Sequence, residues 1–181
     1  MGNIALVISF LFFAGCGKSL PVTKLNPIQR EQALAFPLAE LNGEIETTDG
    51  NIIQVSADRQ KPLVLVFASD SCAVCTAEAR ALVAHLNEMS ASDLANVDYY
   101  TVLIGAYPED LSAWIRRLDV SWTAGTQEGD SMFEKFCPEK LTPCIITFDP
   151  AFQRLTKFLG ETPIEKLQQQ TGAWTYVPKE I

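Results

Sequence analysis

Cys72-Ala-Val-Cys75 stands between two segments that fix its surroundings. Upstream, Pro62-Leu63-Val64-Leu65-Val66-Phe67-Ala68 is a short apolar run of the kind that forms a fully buried β-strand. Downstream, from Ala73 to Met89, Ala, Leu, Glu and Arg predominate and no Gly or Pro interrupts, which predicts a helix. The cysteine pair therefore falls where a strand turns into a helix, with Cys72 near the helix N-terminus. Unpaired N–H groups and the helix dipole favour negative charge there, so they stabilise a Cys72 thiolate, the reactive form. Cys75 follows on the same face, within reach of a disulfide to Cys72. One pair of sulfurs can then alternate between dithiol and disulfide.

A C-x-x-C can instead be half of a zinc site, which needs a second pair of ligands. Cys137, Cys144 and the lone His85 are the candidates, and their spacing does not suit one. The strand–CxxC–helix setting favours redox chemistry, with no metal and no cofactor expected. His85 lies about 15 Å along the predicted helix from Cys75 and reads as a surface or partly buried helix residue. Trp114, Trp122 and Trp174 read as core or rim packing. No phosphate-binding glycine loop is present, and one histidine supports no Ser/His/Asp set.

Ile4 to Phe13 is apolar apart from Ser9 and runs into Ala14-Gly15-Cys16. The run is too short to span a bilayer and reads as a secretory signal. Its small-small-Cys ending resembles the bacterial lipobox, in which the cysteine is lipidated and becomes the mature N-terminus. Two features depart from that pattern: Phe13 stands where Leu is usual, and no Lys or Arg precedes the apolar run. The alternative is an ordinary cleaved signal that leaves Cys16 as a spare thiol.

With Cys16 set apart, four cysteines remain, an even number suited to an oxidising compartment. They permit three connectivities. The local pairing, Cys72–Cys75 with Cys137–Cys144, closes the shortest loops and is favoured. Cys144 as a buried thiol, or as a relay exchanging with the Cys72–Cys75 pair, stays open. A net charge of −8 argues against nucleic acid as a partner. No Lys/Arg cluster suggests acidic headgroups, which leaves membrane attachment to a lipid on Cys16. The expected organisation is a signal at 1–15, a lipidated tether at 16–35 containing Pro21, Asn26 and Pro27, and one domain at 36–175.

Within that domain Asp49-Gly50, flanked by Glu44 to Thr48 and Asn51 to Val55, predicts a hairpin. After the CxxC helix, Val97 to Ile104 reads as a second buried strand. Pro108 through Leu118 reads as a helix with acids in its first turn and Arg116-Arg117 near its end. A short helix is expected over Ser131 to Phe136, then a strand over Cys144 to Phe148, a turn at Asp149-Pro150 and a partner strand over Phe152 to Leu159. Thr162-Pro163-Ile164-Glu165 opens a last helix. The order predicts an α/β three-layer sandwich: a mixed central sheet, helices on both faces and an N-terminal β-hairpin.

From about Phe36 to Gln170 the chain resembles the membrane-tethered, thioredoxin-like thiol–disulfide oxidoreductases of the bacterial cell envelope, the TlpA/ResA-like branch. The residues that carry the likeness are Phe36-Pro37-Leu38, Leu41-Asn42-Gly43, Asp49-Gly50, the Pro62 to Phe67 strand, the CxxC, Thr142-Pro143 and Gly160. The resemblance implies that Cys72 attacks and Cys75 resolves. It also implies that Glu78, three residues after Cys75, exchanges a proton with the centre; the alternative is a solvated helix carboxylate. Pro143 matches the loop proline that is cis in such folds, with the Thr142 backbone offered to an extended substrate segment.

The implied partners are cysteine-containing envelope proteins and a membrane-bound electron donor or acceptor, on the periplasmic or outer side of the membrane. Several residues depart from the family pattern. Ser71 replaces the usual Trp, Ala73-Val74 lacks the common Pro, Cys144 directly follows the loop proline, and Val66 stands where thioredoxin keeps a buried acid. An uncharged Ala-Val dipeptide brings nothing to lower the thiol pKa further, so a reducing or isomerising role fits better than strong oxidation.

Two other functions compete. Ser69, three before Cys72, suits a peroxiredoxin-like peroxidase, but Leu65 stands where that motif has Pro. A non-enzymatic lipoprotein with structural disulfides, or one that hands Cu(I) to a client, would lack the Met-rich or His-rich segment copper handling favours.

Overall fold

The computed structural model describes residues 32, 33, 39, 41–127 and 131–171. The expected signal, Cys16, most of the tether, Phe36-Pro37-Leu38 and Trp174 lie outside the described residues. An eight-stranded mixed sheet runs in the order β1-β8-β7-β4-β5-β6-β2-β3. Its strands are β1 (Gln32–Ala33), β2 (Asn42–Thr47), β3 (Ile52–Ser56), β4 (Leu63–Ala68), β5 (Asp98–Leu103), β6 (Thr123–Thr126), β7 (Cys144–Asp149) and β8 (Arg154–Leu159). The helices are α1 (Ala73–Glu88), α2 (Ala91–Leu94), α3 (Pro108–Leu118), α4 (Ser131–Phe136) and α5 (Ile164–Thr171).

β4 is buried along its whole length and pairs in parallel with β5 and antiparallel with β7. An unbroken apolar run produces this because both faces of a central strand are covered. Leu63, Leu65 and Phe67 point to one face, where they join Phe133 and Phe136 of α4. Val64 and Val66 point to the other, against Leu82 and Leu86 of α1 and Leu167 of α5. Ala68 shares that second face with Leu111, Trp114 and Leu118 of α3. Full burial of one such Leu or Phe contributes about 1.5–3 kcal/mol. The parallel steps β4-α1-β5 and β5-α3-β6 run in one direction across the sheet, so right-handed crossovers put α1 and α3 on the same face.

Three features differ from the sequence expectation. The tether does not extend unbroken to residue 35, because Gln32–Ala33 pairs with β8 as an edge strand. β6 was not anticipated: Thr-Ala-Gly-Thr is short and weak in β-propensity, and its place comes from pairing with β5 and β2. A Cβ on Gly125 would lie 2.5 Å from the Glu46 carbonyl oxygen, so the close approach of β2 requires glycine there. β8 begins at Arg154, not Phe152. Asp149 Oδ1 accepts from the Ala151 and Phe152 N–H groups, which holds a longer turn with Phe152 in solvent.

Candidate active site

The β4–α1 turn sets the two sulfurs apart. The Cys72 N–H donates to the Ser69 carbonyl at 3.1 Å, and the Cys72 carbonyl accepts the first helical bond from Thr76. Cys72 is the N-cap of α1, with extended backbone, and its sulfur accepts from the Cys75 N–H at 3.0 Å. The two cysteines are joined in a disulfide, with Cα atoms 5.2 Å apart. Cys72 is partly exposed, whereas Cys75 is 2% exposed and belongs to the core.

The Thr142–Pro143 peptide bond is cis. Thr142 offers its carbonyl oxygen 3.6 Å from Cys72 Sγ, within reach of an S–H in the dithiol form. The Pro143 carbonyl accepts from the Gly160 N–H at 2.8 Å, which ties this loop to the end of β8. Cys137 and Cys144 form a second disulfide across the same loop, with Cα atoms 6.4 Å apart and both residues inaccessible. Cys144 opens β7 opposite Phe67, so the second disulfide anchors the proline loop to the strand that precedes Cys72. Val74 and Leu141 leave apolar surface exposed on the CxxC and proline segments. Asp70, in the turn before Cys72, pairs with Arg117 of α3; both are about half exposed, so the pair contributes little to stability.

Glu78 is not a solvated helix carboxylate. It is 4% exposed, on the inner face of α1 that also carries Cys75, Ala79, Leu82 and Leu86. Its Oε2 accepts from the Thr162 N–H at 3.1 Å, while Oε1 has no hydrogen-bond partner among the described residues. Cys75 and Glu78 line one small cavity of about 10 Å³, together with Val66, Thr101, Trp114 and Trp122. Val66 does leave β4 without an acid, as expected, but α1 brings a carboxylate to the same space. Sequence reasoning did not place Thr101 and the two tryptophans there. Leu111, Trp114 and Leu118 at helical spacing were the available signal for Trp114. Trp122 Nε1 donates to Thr101 Oγ1 at 2.9 Å.

Burial pushes the Glu78 carboxyl from its ordinary 4.5 up to about 7; the Thr162 N–H opposes the rise and the Glu161 charge adds to it. Between those values the folded chain holds a proton that the unfolded chain has lost. The associated stability is fully present below pH 4.5 and is lost as pH rises through about 7. Glu78→Gln is therefore expected to stabilise the fold near pH 8, by on the order of 3 kcal/mol at most, with the gain shrinking on acidification. Urea unfolding of both proteins across this range measures it. Equal stability near pH 8 would remove the buried-acid assignment.

No protein-family model and no curated protein matches the chain. Solved structures do. DsbF of MTB, in its mixed oxidised and reduced forms, superposes with a TM-score of 0.62 at 20% identity, covering 75% of this chain and 96% of that one. A secreted Mycobacterium tuberculosis disulfide oxidoreductase homologous to E. coli DsbE gives 0.57 at 18%, covering 74% and 97%. StoA from Bacillus subtilis gives 0.58 at 14%, covering 75% and 99%. The fold is thioredoxin-like, and it carries a CxxC-spaced Cys72–Cys75 pair at its strand-to-helix turn.

Proposed function

We propose that this thioredoxin-like chain is a thiol–disulfide oxidoreductase acting on cysteines of other proteins in the bacterial cell envelope. The observation that carries the reading is the asymmetry of the bonded pair: a partly exposed Cys72 at a helix N-cap beside the cis Thr142–Pro143 loop, and a buried Cys75 behind it. In the reducing direction the Cys72 thiolate attacks a client disulfide. One client sulfur leaves as thiolate, and a mixed disulfide forms. Cys75 then loses its proton and attacks Cys72 Sγ, which releases the second client sulfur and leaves the Cys72–Cys75 disulfide. The electron pair moves between sulfurs, so the exchange needs no cofactor.

Thr142 and Pro143 hold the client segment by β-augmentation, and Glu78 takes the Cys75 proton. The uncharged Ala73-Val74 dipeptide, which brings no His or cation to stabilise the thiolate further, supports a reducing or isomerising role over a strongly oxidising one. Ala14-Gly15-Cys16 supports lipid attachment at Cys16, which would set the domain beside a membrane-bound electron donor or acceptor.

Equilibration with a redox buffer tests the reading. The Cys72–Cys75 couple should have a potential near about −270 mV or below, and the reduced protein should open the disulfide of a protein substrate. A value near about −120 mV would reverse the direction, and no transfer to any protein disulfide would overturn the activity.

A further inference from the structure

Glu78 has two sides. Inward it borders the cavity of about 10 Å³ that reaches Cys75. Outward it forms part of the floor of an open groove of about 370 Å³ between α1 and the β8–α5 loop, walled by Ala77, Ala81, Glu161 and Pro163. Among the described residues it is the one that lines both spaces. Its orphaned Oε1 and the likewise orphaned Nε1 of Trp114 belong to residues that border the inner space, which has the size of about one water molecule. From the exchange reading above, we infer that the proton given up by Cys75 leaves through the back of α1. It crosses the inner cavity to Glu78 and passes into the groove under Glu161, instead of leaving by the mouth at Cys72.

The step balances. As Cys75 Sγ forms its bond to Cys72 Sγ, the Cys72–client bond breaks and the electron pair leaves on the client sulfur. The Cys75 proton goes to the Glu78 carboxylate. Glu78 then releases it to groove water beside Glu161, and the client thiolate takes a proton from solvent at the mouth. The mouth stays covered by the client while the mixed disulfide exists, so a second exit lets the resolving step proceed before the client departs. Glu161 is a positioning residue that acts through Glu78. Among the described residues it is the charged group bearing on Glu78, from the β8–α5 loop, and the residues that line the inner space from β4, β5 and α3 are the uncharged Val66, Ala68, Thr101 and Trp114.

The test uses the reduced full chain with oxidised glutathione as the client, following release of the second glutathione against pH by stopped flow. In Glu161→Gln the midpoint of the profile should move to lower pH, because a like charge has gone. In Ala81→Leu, a change on the exposed wall of the groove, release should slow severalfold, and that slowing should vanish in a Glu78→Gln background. A wild-type profile in Glu161→Gln, or wild-type release in Ala81→Leu, overturns the back exit. A wild-type profile in Glu78→Gln overturns the role of Glu78 in exchange and the exit with it. Failure of the parent to release the second glutathione overturns the resolving role of Cys75.

Discussion

Cys72→Ser is expected to abolish exchange with protein disulfides, while Cys75→Ser should still attack but remain covalently attached to its client. The difference follows from exposure. Cys72 is half-buried and sits where a helix N-terminus stabilises its thiolate, whereas Cys75 is buried in the core behind it. Resolution by Cys75 is intramolecular, and well-placed partners of that kind act with effective molarities on the order of 10⁵ M. Its loss should slow client release on the order of 10³-fold or more. Non-reducing electrophoresis and mass spectrometry of the variants with a protein disulfide measure both effects. No trapped client in Cys75→Ser, or trapping by Cys72→Ser instead, would remove the assignment of roles.

Removing the second disulfide should have the largest effect on stability. Cys137 and Cys144 are separated by seven positions and are wholly buried. In the chain-entropy model so short a loop stabilises by roughly 2–3 kcal/mol, and replacing both sulfurs by smaller groups adds a packing loss. The double variant Cys137→Ala/Cys144→Ala is expected to lose about 2–4 kcal/mol in urea unfolding. Exchange should suffer selectively. The bond holds the loop that presents Thr142 to Cys72, so reaction with protein disulfides should fall more than reaction with a small-molecule disulfide. Unchanged stability, or equal loss with both substrates, would separate this bond from the docking edge.

Local signals located most of the architecture. Pro108, the acids behind it and Arg116-Arg117 marked both ends of α3, and Ser131–Phe136 formed where a short helix was expected. What escaped depends on partners distant in the chain. β6 exists through its ladders to β5 and β2, and neither ladder is written in Thr-Ala-Gly-Thr. The site follows the same division. The helix period puts Cys75 and Glu78 on one face, but whether that face meets solvent or core is decided by a loop 84 residues further on, which closes over α1 and donates the Thr162 N–H. Trp114 and Trp122 reach the cavity from separate elements for the same reason.

The unequal burial of the two disulfides makes the molecule chemically two-tiered. A reductant working from the surface meets the Cys72 sulfur alone; both sulfurs of the Cys137–Cys144 bond are shielded until the chain unfolds. Opening and closing at one bond can thus repeat without loosening the other: mild reduction of a folded sample opens one of the two disulfides, where reduction of a denatured one opens both. The scaffold stays oxidised while its tip is spent and recharged, so repeated redox cycling and durability in a thiol-rich setting do not compete.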